Sequence, residues 1–188
     1  MKILLHICCA PCAVYPVENL IAAGHQVRGF FYNPNIHPYQ EFARRIATLE
    51  EYAAKARLPI IWDRGYHLEE FLRTMVFREQ ERCRFCYYLR LKATARVAKG
   101  GKFDALTSTL LYSKFQNHEV IRELGQQVVQ EVGVPFYYVD FRNGWASGMA
   151  QSKQMGLYKQ QYCGCIFSER DRFLTSPKSS QGNGVTRR

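Results

Sequence analysis

The chain has 188 residues, 47% hydrophobic and 22% charged, with a formal net charge of +10. That length buries roughly 70% of the unfolded surface in a single core, which excludes a bare peptide or a coiled coil. No run of about 18 apolar residues is present and the Met1 to Ile7 stretch is too short and wrongly flanked for a signal peptide, so a soluble, cytoplasmic chain without a membrane partner is expected.

Lys2 to Ile7 reads as a strand that ends at the first cysteines. Val14 to Ala23 follows with Val17, Leu20 and Ile21 at helical spacing before Gly24. Val27 to Tyr32 is a second strand ending in the turn Asn33-Pro34-Asn35, and Gln40 to Ala56 repeats Phe42, Ile46, Leu49 and Ala53 as the apolar stripe of a helix. Pro59 to Trp62 is a third strand. His67 to Glu81 puts Leu68, Phe71, Leu72 and Met75 on one helical face, and Cys86 to Lys99 is a further helix stopped by Gly100-Gly101. Phe103 to Leu110 and Phe136 to Phe141 read as strands four and five, separated by a helix carrying Val120, Leu124, Val128 and Val132 with Gly133 behind it. This alternation predicts an α/β fold: a mostly parallel, Rossmann-like sheet of about five strands with right-handed crossovers and a two-helix insertion between strands three and four. Residues 1–173 form the expected domain, and 174–188, rich in Ser, Gly and basic residues with almost nothing apolar, form an expected disordered tail.

The positive charge is concentrated. Residues 78–102 carry eight basic and two acidic side chains, and the tail carries three basic and none acidic. A focused patch suits a polyanion, although a solvated helix face has the same composition.

Seven cysteines in an odd, tightly grouped set argue against a secreted disulfide framework. They form three groups: Cys8, Cys9 and Cys12; Cys83 and Cys86; Cys163 and Cys165. The first lies where strand one turns into its helix, the usual ligand position in an open α/β sheet, and a helix N-terminus favours thiolates or an anionic cluster. Cys9-Ala10-Pro11-Cys12 also fits a thioredoxin-type dithiol, and Cys9/Cys12 with Cys83/Cys86 could hold zinc. An iron-sulfur cluster would take four thiolates from two groups and leave a pair for redox work. Cys163-Gly164-Cys165 suits that pair, since only a small and labile disulfide ring could close there; two further metal ligands are the alternative.

Five ordered segments resemble the epoxyqueuosine reductases of the QueH type, which complete queuosine in tRNA. They are Leu5-His6-Ile7-Cys8-Cys9-Ala10-Pro11-Cys12, Tyr32 to Pro38, Arg82-Cys83-Arg84-Phe85-Cys86, Thr107 to His118, and Gly156 to Cys165. The resemblance implies a fold related to the adenine-nucleotide α-hydrolase and PP-loop group without its pyrophosphate loop, so no ATP use is expected. It implies a 4Fe-4S cluster on Cys8, Cys9, Cys83 and Cys86, and a redox-active disulfide between Cys163 and Cys165. It also implies a further iron, for which Cys12 is the candidate ligand. Reduction of the epoxide would then remove its oxygen as water, with electrons from a donor the sequence does not identify.

His37, Tyr112, Lys114 and His118 are candidate proton donors in these loops, whereas His6 reads as a core histidine. Arg78, Arg82, Arg84, Arg90 and Lys92 are candidate tRNA contacts around Cys83 and Cys86, with Phe85, Tyr87 and Tyr88 available for stacking. Two other functions share some of these features: a general thiol-disulfide oxidoreductase, and a zinc-stabilised RNA-binding module without catalysis.

Overall fold

Lys2–His6 (β1) is the centre of the molecule, because Ile3, Leu4, Leu5 and His6 have no exposed surface on either face. A strand covered on both sides is what a parallel sheet with helices above and below requires. The computed structural model describes residues 1–174, and the basic stretch beyond them, which the sequence assigns to a disordered tail, lies outside the described residues.

β1 pairs in parallel with Gln26–Phe31 (β2) on one side and with Ala105–Ser108 (β4) on the other, placing His6 beside both Phe30 and Ser108. Ile60–Trp62 (β3) pairs with β2, so the order is β3-β2-β1-β4. From β1 the chain winds outward to β2 and β3, then returns to the opposite side for β4. The strand order therefore reverses between β1 and β4, and the crevice beyond their carboxyl ends is where such sheets bind ligands.

Ala10–Ala22 (α1) starts directly behind β1, with Pro11 in its first turn where a missing N–H costs nothing. Tyr39–Ala56 (α2) follows β2, and Leu68–Met75 (α3) and Arg82–Gly100 (α4) form the expected insertion. His118–Val132 (α5) is capped by the Asn117 side chain, which accepts from the Val120 amide, and it ends at Gly133 in the left-handed region. Two helices that the sequence reading did not resolve complete the chain: Trp145–Gln154 (α6) and Ile166–Phe173 (α7). Among the described residues no helix is long and apolar enough to cross a membrane.

The sheet has four strands where the sequence suggested about five. Phe136 to Phe141 is reduced to one bridge opposite Leu106, with Leu106 donating to Pro135 O and Tyr137 donating to Leu106 O. Pairing stops because Asp140 turns the chain: its carboxylate accepts from the Arg142 amide and opens a 3-10 turn leading into α6. Beside the main core lies a small second one of Phe71, Met75, Cys86 and Cys165, which ties α3, α4 and the start of α7 together.

Gly125 on α5 leaves room for the Phe136 ring, and a Cβ there would overlap ring carbons. Gly125→Ala should therefore destabilise the fold by about 1–3 kcal/mol through overpacking, read as a lower urea midpoint, and Phe136→Leu in the same chain should restore part of the loss.

Candidate functional site

At the carboxyl end of β1 the backbone turns at once into α1, and the sulfurs of Cys8, Cys9 and Cys12 all come within 4.8 Å of one another. Those of Cys8 and Cys9 are 3.8 Å apart. Cys9 caps α1 without a side-chain hydrogen bond, so the unsatisfied amides of the first turn are beside the thiols. Across the strand-order reversal, the 3-10 turn after β4 contributes Thr109. Its hydroxyl accepts from the Cys8 amide at 3.1 Å and donates to the Cys8 sulfur at 3.3 Å. Gln160 reaches in from the C-terminal segment, its Nε2 lying 3.0 Å from the Cys9 sulfur and 3.6 Å from that of Cys12.

These donors set the charges. Hydrogen bonds from Cys12 and Cys9, followed by the one from Thr109, hold the Cys8 thiol well below its ordinary value. Burial pushes Cys9 up, and Cys12 is pushed up because its proton is shared with Cys8. Three sulfurs this close form a soft donor set, suited to a thiophilic metal.

The other cysteines form a neighbouring group. Cys86 is buried, pushed up to about 12 by desolvation, and it feels Cys163, Cys165 and Cys83. Cys83 and Cys163 are exposed and Cys165 is buried, and all seven cysteines are free thiols. Arg90 stands between the two groups. Its Nε donates to Cys86 O, its side chain is 1% exposed, and its charge is favoured by Cys86, Cys163 and Cys8 against the cost of burial. One of its terminal nitrogens is buried with no partner among the described residues.

The C-terminal cysteine turn is held by a second buried guanidinium. Arg45 Nε donates to Glu41 at 2.7 Å, and its terminal nitrogens donate to Cys163 O at 3.0 Å and Tyr162 O at 3.1 Å. Glu41 in turn accepts from the Tyr158 hydroxyl at 2.6 Å. Gly164 sits at φ +126°, and its carbonyl accepts from the His37 amide at 2.8 Å. A side chain at 164 would meet Ile36 and Arg45 in addition to being strained.

A cavity of about 640 Å³ opens over these groups, lined by Cys8, Cys12, Arg90 and Cys163 together with residues of the two flanking loops. None of the four proton-donor candidates lines it. His37 is buried beside Tyr66 and desolvation lowers it to about 4. Tyr112 is buried and donates to Trp145 O; Lys114 lies over the Trp145 ring. His118 is buried 4.0 Å from Asp140.

The basic candidates on α4 and before it are largely neutralised. Arg82 pairs with Asp171, Arg84 with Glu123 through both terminal nitrogens, and Lys92 with Glu131. Arg78 covers the Phe85 ring, Tyr87 is buried and Tyr88 bonds Glu131. Arg90 differs from the other four candidates in being buried and lining the cavity. Thr109, Gln160 and the Arg45–Glu41 pair were not singled out in the sequence. The first two lie inside the quoted segments, and the pair had one legible sign, an acid and a base four residues apart on the α2 stripe.

A family model described as epoxyqueuosine reductase QueH matches residues 3–171. Curated proteins named epoxyqueuosine reductase QueH are also similar. The one from Dehalococcoides mccartyi is 35% identical, covering 92% of this chain and 94% of its own length. Those from Acinetobacter baylyi and Thermotoga maritima are 35% and 32% identical, each covering 90% of this chain and 81% and 91% of their own lengths.

Arg45→Met should cost about 3–5 kcal/mol in urea unfolding, because Glu41 would keep a buried charge without its cation, and adding Glu41→Gln should recover much of it. Burial and the Arg90 charge hold His6 at about 4, against 6.5 in the unfolded chain. Unfolding therefore takes up a proton in this window, so stability is fully present above about pH 6.5 and is lost as pH falls toward 4. At pH 5 the loss from His6 is on the order of 2 kcal/mol, with His37 adding in the same direction, measurable as a fall in the urea midpoint of the reduced metal-free protein.

Proposed function

The chain belongs to the epoxyqueuosine reductase QueH family and is an oxidoreductase of tRNA modification, and we propose that the first and third cysteine groups act over the cavity, with Cys83 and Cys86 as ligands outside its lining, to remove the epoxide oxygen of epoxyqueuosine at the anticodon wobble position. The observation that carries this reading is the convergence of Cys8, Cys12 and Cys163 on one cavity at the strand-order reversal. Conversion of the epoxide to the alkene of queuosine takes two electrons and two protons and releases one water.

The donor set suits a 4Fe-4S cluster in its chemistry: sulfur is the ligand such clusters need, the sulfurs of Cys8, Cys9 and Cys12 lie within 4.8 Å of one another, and the buried Arg90 guanidinium would offset the negative charge of a thiolate-bound centre. Cys8, Cys9, Cys83 and Cys86 would hold the cluster, and Cys12 would be left to a further iron. When bound, these groups supply electrons and a Lewis acid to the cavity.

The protein's own residues do the rest. Thr109 and Gln160 fix the sulfurs of the first group by hydrogen bonds, and α1 directs its amide dipoles at them. Cys163 and Cys165 change from two thiols to a disulfide, releasing two electrons and two protons, which balances the reduction of the epoxide. A reductant from outside the chain restores the thiols. Cys163 lines the cavity, so the protons lost by this pair are released beside the substrate, and the histidines away from the cavity are not needed as donors. The Arg45 clamp presents Cys163 at the mouth and keeps Cys165 in the second core.

Anaerobic purification should yield about four irons with matching sulfide per chain, with one further iron when Cys12 is intact. Cys8→Ala or Cys86→Ala should lose the visible spectrum and the conversion of epoxyqueuosine tRNA. Cys163→Ser should keep the spectrum but lose the conversion of epoxyqueuosine tRNA. A colourless protein with stoichiometric zinc, no sulfide and no conversion would overturn the reading in favour of a zinc-stabilised RNA-binding module.

A further inference from the structure

We propose that the rim of the cavity around Phe115, with Trp145, Lys114, Lys159 and Arg172, is a seat for unstacked anticodon nucleotides, in which Phe115 stacks on a base and the three cations hold the flanking phosphates. This rests on the reductase reading for the identity of the RNA, and on separate observations for the surface.

The first observation is the placement of an aromatic side chain. Phe115 is 85% exposed, yet it lines the cavity and does not belong to either core. Leaving a phenyl ring in water gains nothing for folding, and its loop is not loose: the Phe115 amide donates to Ser113 Oγ. The ring ends an aromatic row. Tyr15 stacks on Tyr112 at 6.3 Å between centroids, Tyr112 contacts Trp145 at 5.1 Å, and Trp145 meets Phe115 edge to face at 6.1 Å. Tyr112 is buried, so the row runs from the core to the mouth and holds Phe115 on a firm base. A rigid, exposed aromatic face is what proteins use to stack single-stranded bases.

The second observation is charge. Arg90, Lys159 and Arg172 line the cavity, and no carboxylate does. Among the described residues Lys114, Lys159 and Arg172 have no acidic partner, whereas Arg82, Arg84 and Lys92 each have one. Free cations therefore stand at the rim, while on α4 the side chains nearest Cys83 and Cys86, Arg82 and Arg84, are held by carboxylates and, among the described residues, Arg96 and Lys99 farther along the helix are not. A polyanion entering here would find cations not already held by carboxylates, with a stacking face between them. The volume of about 640 Å³ is in the range of sites that enclose a single nucleoside-sized ligand.

The test uses the metal-loaded full chain, epoxyqueuosine tRNA, and an unmodified anticodon stem-loop RNA as binding probe, with a fully paired RNA of equal length as control. Phe115→Ala should weaken stem-loop binding and raise KM by about ten- to a hundred-fold, with kcat at saturating tRNA within about two-fold of the parent, and Phe115→Tyr should restore both. Lys159→Gln with Arg172→Gln should flatten the dependence of log Kd on log salt by about two. The parent chain should prefer the stem-loop to the paired RNA. Equal binding of both RNAs, or parent-like KM and salt slope in the variants with their melting temperatures unchanged, would overturn the surface while leaving the reductase reading intact. Phe115-dependent binding of the stem-loop without conversion of epoxyqueuosine tRNA would support the surface and remove the reductase reading.

Discussion

A guanidinium with 1% of its surface exposed must be given an anion and enough acceptors before the chain can close over it, and Arg45 is such a group. Burial opposes its charge, and the Glu41 carboxylate bonded to its Nε supplies the anion. Its partners come from opposite ends of the sequence: Glu41 one turn earlier on α2, and the carbonyls of Tyr162 and Cys163 more than 110 residues away. Because a guanidinium is planar and its donors are fixed in a fork, satisfying all three sets the orientation of the C-terminal cysteine turn against α2. The cavity owes its far wall, Lys159 to Cys163, to this arrangement, and so does the approach of Gln160 to the sulfurs of Cys9 and Cys12.

Around that clamp the charges are arranged in tiers. Two buried cations, Arg45 and Arg90, face the sulfurs; Arg45 has the Glu41 carboxylate and two carbonyl oxygens as partners, and Arg90 has the Cys86 carbonyl. Farther out, Arg82, Arg84 and Lys92 of α4 are committed to Asp171, Glu123 and Glu131, ties that fasten α5 and α7 to α4. Segment charge along the sequence could therefore locate a basic helix but not the free potential, since the neutralising acids lie on elements distant in sequence.

The legible parts of the fold were those with a strong local signal. β1 was readable from its apolar run, α2 from the stripe of Phe42, Ile46, Leu49 and Ala53, of which Phe42 and Leu49 are buried in the structure, and α5 from its valine and leucine stripe with Gly133 behind it. The segment after Pro135 looked like a strand from Phe136 to Phe141 because its aromatic and β-branched residues suit one. Its fate was decided by Asp140, a capping residue that ends pairing only when a turn and a helix stand directly behind it. α6 and α7 gave no periodic signal: α6 buries Gly148 and Ser152, and no residue of α7 is buried, so their helical state rests on docking and not on amphipathicity. The cysteine groups were visible as composition. The way Thr109 and Gln160 serve them was not, because a hydroxyl or an amide carries no sign in sequence of which sulfur it will meet.

The site also has an order in time, set by where its parts lie along the chain. Cys8, Cys9 and Cys12 leave the ribosome well before the groups that serve them, since Gln160 follows Cys9 by 151 residues and the clamped turn comes after that. Until β4 is in place beside β1, Thr109 cannot bond Cys8, and until the C-terminal segment docks, nothing covers the three sulfurs from above. A growing chain thus carries these three thiols uncovered while the 148 residues from Cys12 to Gln160 are made, at about 5–20 residues per second. Oxidation during elongation is consequently the hazard that the late closing segment brings to an end.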